Sequence, residues 1–326
     1  MATRLEAVVN RLPVEHHASL HGLLLVDKPV GPTSARVVAK VKRQLRVKKA
    51  GHCGTLDPLA SGLLPIALGE GTKASQFLLD ADKRYEVELT LGLTSDTLDI
   101  SGALVDTGPV EVSEAEVRSA LDNFRGPIEQ LPPMFSALKR DGKPLYEYAR
   151  DGIVLERSTR AVEIFHLELV GWETPRAQLF VHCSKGTYVR TLVHDLGQRL
   201  GCGAVMSQLR RTSCGPFSVE GAIALDALCA GADPSAAFLT LEQALAHLEE
   251  VVLGPEASLR FAHGNPVALT AEETCGRAAD ALLVRGHEGR LLAIGRTVAS
   301  DDGFELQVVR GLNLPSGADD GESVCD

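Results

Sequence analysis

Apolar and polar positions in the first fifty residues follow two different periods. Residues 22–27 form a short apolar run that predicts a buried strand, and the prolines and glycine at 29–32 end it. Thr33 or Ser34 can then cap a helix with one apolar face and basic residues around its other side. The apolar positions of this helix are Val37, Val38, Val41 and Leu45.

The same two periods continue through the middle of the chain. Apolar residues alternate with polar ones over 85–91, which predicts a half-buried strand. Ser113 and Glu116 form the capping box of a helix that ends near Gly126. Three further elements are expected, namely strands at 162–170 and 177–183 and a helix from about Tyr188 to Leu200.

Two stretches depart from this regular pattern. Residues 130–152 lack hydrophobic periodicity and carry several Lys and Arg residues, which predicts a basic insertion with a short helix around 146–150. After a linker at 230–235, a helical stretch near 241–250 precedes short segments punctuated by glycines, and these suit a small β-barrel. Its strands are expected at 258–261, 281–285, 291–295 and 304–309.

The distribution of charge changes what the net charge implies. The chain carries a net charge of −10, which is unfavourable for a nucleic-acid partner. Between Gly22 and Ala230, however, 25 basic residues balance 25 acidic ones, and the acidic excess lies outside that span. Residues 36–49 hold seven basic residues and no acidic one. Local potential decides where a phosphate backbone docks, so this run is a candidate RNA contact or a solvated helix face.

Composition limits the classes of protein that need to be considered. The 326 residues are 44% hydrophobic and 23% charged, which is typical of a globular protein with a substantial core. No apolar run approaches the ~18 residues of a membrane-spanning helix, and the N-terminus lacks a signal-peptide centre. The seven cysteines form no Cys-x-x-Cys pair, so no zinc site or disulfide framework is indicated. We therefore expect a cytoplasmic protein without a membrane anchor.

The most distinctive local feature is the glycine-rich segment 51–62, which contains Asp57 followed by Pro58. Glycines permit backbone conformations closed to other residues and a close approach to a ligand. Pro58 restricts Asp57 to an extended conformation, so the carboxylate can be held in one direction. An Asp-Pro pair in such a loop is more often part of a turn than of a catalytic site, so its surroundings decide the matter.

Four segments, taken in order, carry a resemblance. They are the Asp57 loop, Lys83-Arg84-Tyr85 at a strand start, Gly186-Thr187-Tyr188-Val189-Arg190, and Leu209-Arg210-Arg211-Thr212. From about Gly22 to Phe217 the chain resembles the TruB family of tRNA pseudouridine synthases. The segment beginning at Phe261 is similar to the small PUA-like RNA-binding domain of bacterial members.

The resemblance implies an α+β pseudouridine synthase fold, with a mixed, largely antiparallel sheet and a C-terminal PUA-like β-barrel. The expected division of the chain is an N-terminal extension at 1–20, a catalytic domain at 21–232, a PUA-like domain at 240–315 and an acidic tail at 316–326. The insertion at 130–152 is expected to form a thumb-like loop. The resemblance further implies an isomerase that converts uridine 55 in the T-loop of tRNA to pseudouridine, as a monomer without metal or nucleotide cofactor.

Site residues follow from the resemblance position by position. Asp57 corresponds to the catalytic aspartate, which attacks the sugar or removes a sugar proton, and Arg190 corresponds to its pairing arginine. Tyr85 corresponds to the tyrosine against the base, with a direct or water-mediated role in removing the C5 proton. The expected substrate-binding residues are His52, which stacks in the gap left by the flipped base, Tyr188 and Leu209, which line the uracil pocket, and Lys28, which meets phosphate.

Two alternatives of other classes remain at this stage. A non-catalytic RNA-binding protein would need only the basic segments and the barrel. A nucleotide-dependent enzyme is suggested by residues 69–74, which are similar to a phosphate loop but lack its spacing, and we interpret them as a turn between strands. Within the pseudouridine synthases, a guide-RNA-dependent relative would share the catalytic motifs. The C-terminal segment and the insertion favour an enzyme that works alone.

Overall fold

The structure is a computed structural model, and it describes residues 20–269, 278–300 and 303–314. The expected N-terminal extension, apart from residue 20, and the expected acidic tail lie outside these ranges.

The described residues form twenty strands, eight α-helices and three short 3-10 helices, at Asp122–Phe124, Val219–Gly221 and Ser235–Ala237. The first ten strands are β1 (Gly22–Lys28), β2 (Ala50–His52), β3 (Ala60–Leu68), β4 (Lys83–Leu91), β5 (Leu93–Ser95), β6 (Leu104–Asp106), β7 (Gly126–Gln130), β8 (Lys139–Arg140), β9 (Lys143–Pro144) and β10 (Arg160–Glu173). The other ten are β11 (Arg176–Cys183), β12 (Ala204–Cys214), β13 (Phe217–Ser218), β14 (Ile223–Ala224), β15 (Phe238–Thr240), β16 (Glu249–Val252), β17 (Val267–Leu269), β18 (Leu282–Arg285), β19 (Leu291–Ser300) and β20 (Gly303–Gly311). The helices are α1 (Ser34–Leu45), α2 (Gly71–Leu79), α3 (Glu114–Leu121), α4 (Leu145–Arg150), α5 (Val189–Leu200), α6 (Leu225–Cys229), α7 (Leu241–Ala244) and α8 (Pro255–Ala262).

An eleven-stranded sheet forms the centre of the larger domain. Its main path runs β14-β1-β3-β12-β4-β11-β10-β7, and β2, β13 and β15 pair at its sides. Only the β1/β14 and β3/β12 pairs are parallel among the described ladders of this sheet. The predicted mixed, largely antiparallel sheet is therefore confirmed. Its topology brings β3, β4 and β12 side by side at the centre, where buried strands are held most rigidly.

Local signals explain where the main helices begin and end. Thr33 caps α1 by accepting a hydrogen bond from the backbone N–H of Arg36, as its position in the sequence predicts. Ser113 and Glu116 form the expected capping box of α3. Gly201 ends α5 in the left-handed conformation, which a glycine adopts without steric cost. The helices predicted from these signals are confirmed.

Two segments differ from the sequence-based expectations. Residues 69–74 do not form a turn between strands, because α2 begins at Gly71 directly after β3. Residues 258–261 lie in α8 and not in a strand, since Pro255 occupies the first helical turn, where a missing N–H costs nothing. The helical stretch expected at 241–250 is limited to α7, and its last two residues belong to β16.

The insertion between β7 and β10 is ordered by its own backbone bonds. A two-residue hairpin of β8 and β9 leads into α4, which confirms the short helix expected around 146–150. The N–H groups of Leu145 and Tyr146 donate to the carbonyls of Leu138 and Ser136. We call residues 131–159 the thumb.

The C-terminal strands form a separate five-stranded sheet in the order β16-β18-β19-β20-β17. A second hydrophobic cluster, centred on Phe261, Val284 and Leu306, packs beneath it. Before this sheet begins, β15 pairs with β1, so the chain returns to the central sheet after residue 232. No helix in the described ranges is long and apolar enough to cross a bilayer.

Candidate active site

The loop between β2 and β3 carries Asp57 and is held by three hydrogen bonds from two residues. Ser34 at the start of α1 donates from its hydroxyl to the Leu56 carbonyl and accepts from the Leu56 N–H, each at 2.9 Å. The Gly31 N–H donates to the Pro58 carbonyl at 2.8 Å. These bonds leave the backbone around Asp57 little freedom, as the Asp-Pro pair in a glycine-rich loop led us to expect.

Asp57 and Arg190 form an ion pair at the floor of a cleft. The Nη2 atom of Arg190 lies 2.9 Å from Oδ2 of Asp57. The arginine side chain is only 5% exposed, whereas the aspartate side chain is 36% exposed. The carboxylate is therefore paired with a buried guanidinium and still remains accessible to a substrate.

Further oxygens surround Arg190 and fix its direction. Its Nη1 and Nη2 atoms donate to the carbonyls of Thr97 and Phe135, both at 2.8 Å. Its Nε atom lies 3.9 Å from Oδ2 of Asp99, a buried aspartate whose Oδ1 accepts from Ser101 N–H at 2.9 Å. The sequence reasoning did not single out Asp99. Its only sequence signal is a loop rich in Asp, Ser and Thr, which by itself predicts a turn.

Tyr85 lies in β4 next to this pair and is almost fully buried. Burial raises the pKa of its phenol to about 12, and the nearby Arg211 opposes that rise. Burial therefore favours the neutral phenol at this position.

Arg211 lies under the Asp57 loop and is fully buried. Its Nε donates to the Leu63 carbonyl at 2.7 Å, and Nη1 and Nη2 point to the carbonyls of Thr55 and Gly54 at 3.4 and 3.3 Å. The backbone of Arg211 passes so close to Gly62 that a Cβ on this glycine would come within 2.2 Å of the Arg211 carbonyl oxygen. The absence of a side chain at Gly62 therefore allows this close approach. The sequence reasoning quoted Arg211 within a motif but assigned it no role.

Lys28 lies at the end of β1, and its side chain is fully buried. Its Nζ donates to the carbonyls of Pro29 and Ala60, at 3.0 and 2.5 Å. Burial lowers the pKa of this ammonium to about 8, although Asp57 nearby favours its charged form. A fully buried ammonium cannot meet an RNA phosphate in this structure, so its position differs from the expected phosphate contact. It lies under the catalytic loop instead.

The cleft above these residues has a volume of about 330 Å³. That volume lies within the range of roughly 300–1,000 Å³ that small-molecule sites occupy. Its lining brings together five of the seven residues expected from the sequence, namely Asp57, Tyr85, Tyr188, Arg190 and Leu209. Lys28 and His52 do not line it.

Two aromatic residues near the cleft are held in their neutral forms. Burial raises the pKa of Tyr188, and the Ser136 hydroxyl beside it opposes the rise. Burial, followed by the charge of Arg211, lowers the pKa of His52. The Nδ1 atom of His52 is buried and has no hydrogen-bond partner among the described residues.

Lys83 also lines the cleft and has a structural function of its own. It is buried, and its Nζ donates to the Leu79 carbonyl at 2.8 Å, at the C-terminus of α2, and to the Ala81 carbonyl. A cation at this end of a helix meets carbonyls that lack intrahelical partners. Lys83 thereby connects α2 to the start of the strand that carries Tyr85.

A basic surface extends from the catalytic loop along α1. None of its basic side chains forms an ion pair within the described part of the chain. These residues are Arg36, Lys40, Lys42, Arg43, Arg46, Lys48 and Lys49. We call this set the α1 basic surface. Because Ser34 at the first turn of α1 binds the Asp57 loop, the surface begins beside the cleft. Within the described ranges no group of His, Cys, Asp or Glu residues is arranged to hold a metal ion.

The comparisons with known proteins agree with this geometry. A family model described as the TruB family pseudouridylate synthase N-terminal domain matches residues 42–189, and one described as the tRNA pseudouridylate synthase B C-terminal domain matches residues 190–259. The tRNA pseudouridine synthase B of Sodalis glossinidius is 44% identical, over 88% of this chain and 94% of its own length. That of Burkholderia pseudomallei is 49% identical, over 90% of this chain and 98% of its own length.

Solved structures give the same result for the fold. A chain in an H/ACA RNP bound to a substrate RNA containing 2'-deoxyuridine is similar, with a TM-score of 0.68 and 26% identity over 93% of this chain and 88% of that one. A chain of a Cbf5-Nop10-Gar1 complex is similar, with a TM-score of 0.69 and 29% identity over 92% and 87%. The expected pseudouridine synthase fold is confirmed, and the protein belongs to the TruB family of pseudouridylate synthases.

Proposed function

We propose that this protein converts uridine 55 in the T-loop of tRNA to pseudouridine. The reaction breaks the N1–C1′ bond, turns the base within the cleft and joins C5 to C1′, while the proton of C5 is lost and N1 gains one. The observation that carries the proposal is the Asp57–Arg190 ion pair at the floor of an accessible cleft, in a chain whose curated relatives are tRNA pseudouridine synthases.

In this proposal Asp57 is the catalytic carboxylate. Arg190 is its counter-ion at 2.9 Å, and the buried side chains of Lys28 and Arg211 lie beneath the loop that carries it. An ionised carboxylate serves either as a nucleophile at C1′ or as a base toward a sugar proton. A deuterium isotope effect at the sugar C–H distinguishes these routes, since only proton removal in the rate-limiting step slows the deuterated substrate.

Tyr85 is proposed to pack against the base as a neutral phenol. Its raised pKa makes the resting phenolate too rare to act as a preformed base. A role of Tyr85 in removing the C5 proton, direct or through water, is part of this proposal and requires that the phenol pass on its own proton as it accepts another. Tyr188 and Leu209 are proposed to line the uracil pocket, which their positions in the cleft support.

His52 is proposed to stack in the gap that the flipped base leaves in the T-loop. Its lowered pKa supports a neutral ring, which stacks on bases without the cost of removing a charge from water. Although His52 does not line the cleft, it ends β2 just before the Asp57 loop. That position suits a contact with the RNA strand and not with the flipped uracil.

The α1 basic surface and the thumb are proposed to clamp the T-arm. The seven cations of α1 and the following turn make no ion pair in the described ranges, so they are available to phosphates. In the thumb, Lys139 and Arg150 are exposed, while Lys143 is paired with Asp151 at 2.8 Å. Phosphate contacts of this kind set the register of the RNA and leave base recognition to the cleft.

The proposed organisation is a catalytic domain at 21–232, with the thumb within it, and a PUA-like RNA-binding domain at 240–315. The C-terminal family model is that of tRNA pseudouridylate synthase B, which favours a stand-alone enzyme over a guide-RNA-dependent relative, and we propose that it works as a monomer. The H/ACA chains share the fold but have lower identity than the curated relatives. We further propose that no metal or nucleotide cofactor takes part and that the enzyme acts in the cytoplasm.

Tritium release tests the proposed reaction. A T-arm transcript tritiated at uridine C5 is incubated with the pure protein, without metal, ATP or guide RNA. We expect release of tritium to water by the wild-type protein and by Asp226→Asn, an exposed carboxylate in α6, but not by Asp57→Asn. A transcript with cytidine at position 55 should give none.

Two outcomes would contradict the proposal. Binding of the transcript without release of tritium would favour a binding protein, and release that requires an added guide RNA would favour the guide-dependent relatives.

A further inference from the structure

Gln130 lies where the central sheet ends and the thumb begins. It is the last residue of β7, and its side chain is 1% exposed. Opposite it, Arg160 of β10 marks the point where the thumb returns to the sheet. None of the motifs that carry the family resemblance includes this residue.

Both polar atoms of the Gln130 amide bind the backbone of a single residue. Its Oε1 accepts from the Tyr188 N–H at 2.9 Å, and its Nε2 donates to the Tyr188 carbonyl at 3.3 Å. Tyr188 is the N-cap of α5 and has no side-chain cap of its own. The first N–H groups of a helix have no partner within it, so the Gln130 amide supplies one from another part of the chain.

The backbone that Gln130 binds is close to the reacting groups. Tyr188 lines the cleft, and Arg190 follows two residues later in the first turn of α5. The direction of this turn decides where the guanidinium of Arg190 meets Asp57. A displacement of about 1 Å in such a contact can lower a rate about 10²-fold.

Two more bonds connect the same two segments. The Thr191 hydroxyl lies 3.4 Å from the Leu131 carbonyl, and Arg190 itself donates to the Phe135 carbonyl. The segment 130–135, where β7 passes into the thumb, is thus attached to the first turn of α5 by three separate side chains. Gln130 is the only one of the three that reaches from the thumb side.

We propose that Gln130 is a positioning residue for the isomerisation, which ties the base of the thumb to Tyr188 and so holds Arg190 in its pairing direction against Asp57. The inference rests on the proposed role of the Asp57–Arg190 pair. The two Gln130–Tyr188 hydrogen bonds would then join the segment that holds the RNA to the cleft that holds the base.

Gln130→Met tests this inference, because methionine is close in size and removes both bonds. Single-turnover tritium release from the T-arm transcript should fall about 10- to 100-fold. The dissociation constant of the transcript, measured in an Asp57→Asn background, should change less than about 3-fold, since no RNA-binding group is altered. Gln178→Met on the exposed face of β11 serves as the matched control and should leave both quantities unchanged.

A double-mutant cycle separates positioning from general destabilisation. If Gln130 acts through Arg190, Gln130→Met in an Arg190→Lys background should lower the remaining rate less than about 3-fold, because residues that act as a unit are not additive. An equal loss in both backgrounds would overturn the inference. So would a wild-type rate in Gln130→Met, or a parallel loss of binding and turnover.

A second variant covers the case in which methionine impairs folding. In Gln130→Glu the new carboxylate still accepts from the Tyr188 N–H but repels the Tyr188 carbonyl, and protonation restores the missing donor. Its rate relative to wild type should therefore rise as the pH falls from 8 to about 5.5. A ratio that stays constant over this range would count against a role for the second bond. If neither the wild-type protein nor Asp226→Asn released tritium from the transcript, the proposed function itself would be rejected.

Discussion

The Nη2 atom of Arg190 lies 2.9 Å from Oδ2 of Asp57, and the same atom donates to the Phe135 carbonyl at 2.8 Å. The guanidinium therefore connects the catalytic loop to the base of the thumb, two segments that lie far apart in the sequence. Its Nη1 atom adds the Thr97 carbonyl, so the planar group is held by backbone oxygens on two sides. A point charge cannot replace a planar donor with this many partners.

Arg190→Lys is expected to lower the single-turnover rate about 10²-fold and to leave the affinity for the T-arm within about 5-fold. The ammonium retains the charge but cannot meet Asp57 and both carbonyls together. Tritium release and filter binding measure the two quantities, and Arg199→Lys at the exposed end of the same helix is the control. A rate close to that of wild type would show that charge alone suffices at this position.

Arg211→Met is expected to reduce the free energy of unfolding by about 2–4 kcal/mol, because it leaves the carbonyls of Leu63, Thr55 and Gly54 without their donors. Urea denaturation measures the loss. The neighbouring Arg210→Met breaks a half-exposed pair with Asp27 and should cost less than about 1 kcal/mol. Equal losses in the two variants would contradict the role of Arg211 beneath the catalytic loop.

Lys28 is expected to make stability depend on pH between about 8 and 10.5. Because its folded pKa is lowered, the unfolded chain binds more protons in this window, and the free energy of unfolding rises with pH. The contribution of this residue is complete above 10.5 and is lost as the pH falls through about 8. Its size is on the order of 1–3 kcal/mol.

The measurement is urea denaturation of wild type and Lys28→Met at pH 7.5 and at pH 10. Other lysines titrate in both proteins, so the comparison isolates this ammonium. The rise from the lower to the higher pH should be larger in wild type than in Lys28→Met. An identical rise in both proteins would mean that the buried ammonium keeps an ordinary proton affinity.

The double substitution Arg36→Glu with Arg43→Glu is expected to weaken T-arm binding about 10-fold or more at low salt and to reduce the salt dependence of binding by roughly one to two counterions. Turnover at saturating RNA should change little, because neither side chain lines the cleft. The charge-matched control is Arg118→Glu with Arg176→Glu, two exposed arginines already paired with glutamates. Equal effects of both pairs would indicate a net-charge effect and no docking surface on α1.

The elements that the sequence predicted well are those whose signals are local. The cap at Thr33, the alternation from Tyr85 and the helix before Gly201 depend on neighbours within a few residues, and all three are present. The strand expected at 258–261 was wrong because the buried side of α8 consists of Ser258 and Phe261, and one buried apolar residue is too few to show a helical period. A short segment of this kind is ambiguous without its tertiary partners.

By itself, the sequence determined the order of the motifs, the position of Asp57 before a proline and the separation of the basic α1 surface from the acidic regions. Only the tertiary structure decided that Lys28 and Arg211 are buried beneath the loop, that Asp99 approaches Arg190, and that Gln130 binds Tyr188. The physical reason is that these contacts join residues separated by tens to more than one hundred positions. Hydrophobic periodicity along the chain indicates which face of a helix or strand is buried. The partners of a buried charged side chain depend instead on how β3, β4 and β12 pack together, which periodicity does not contain.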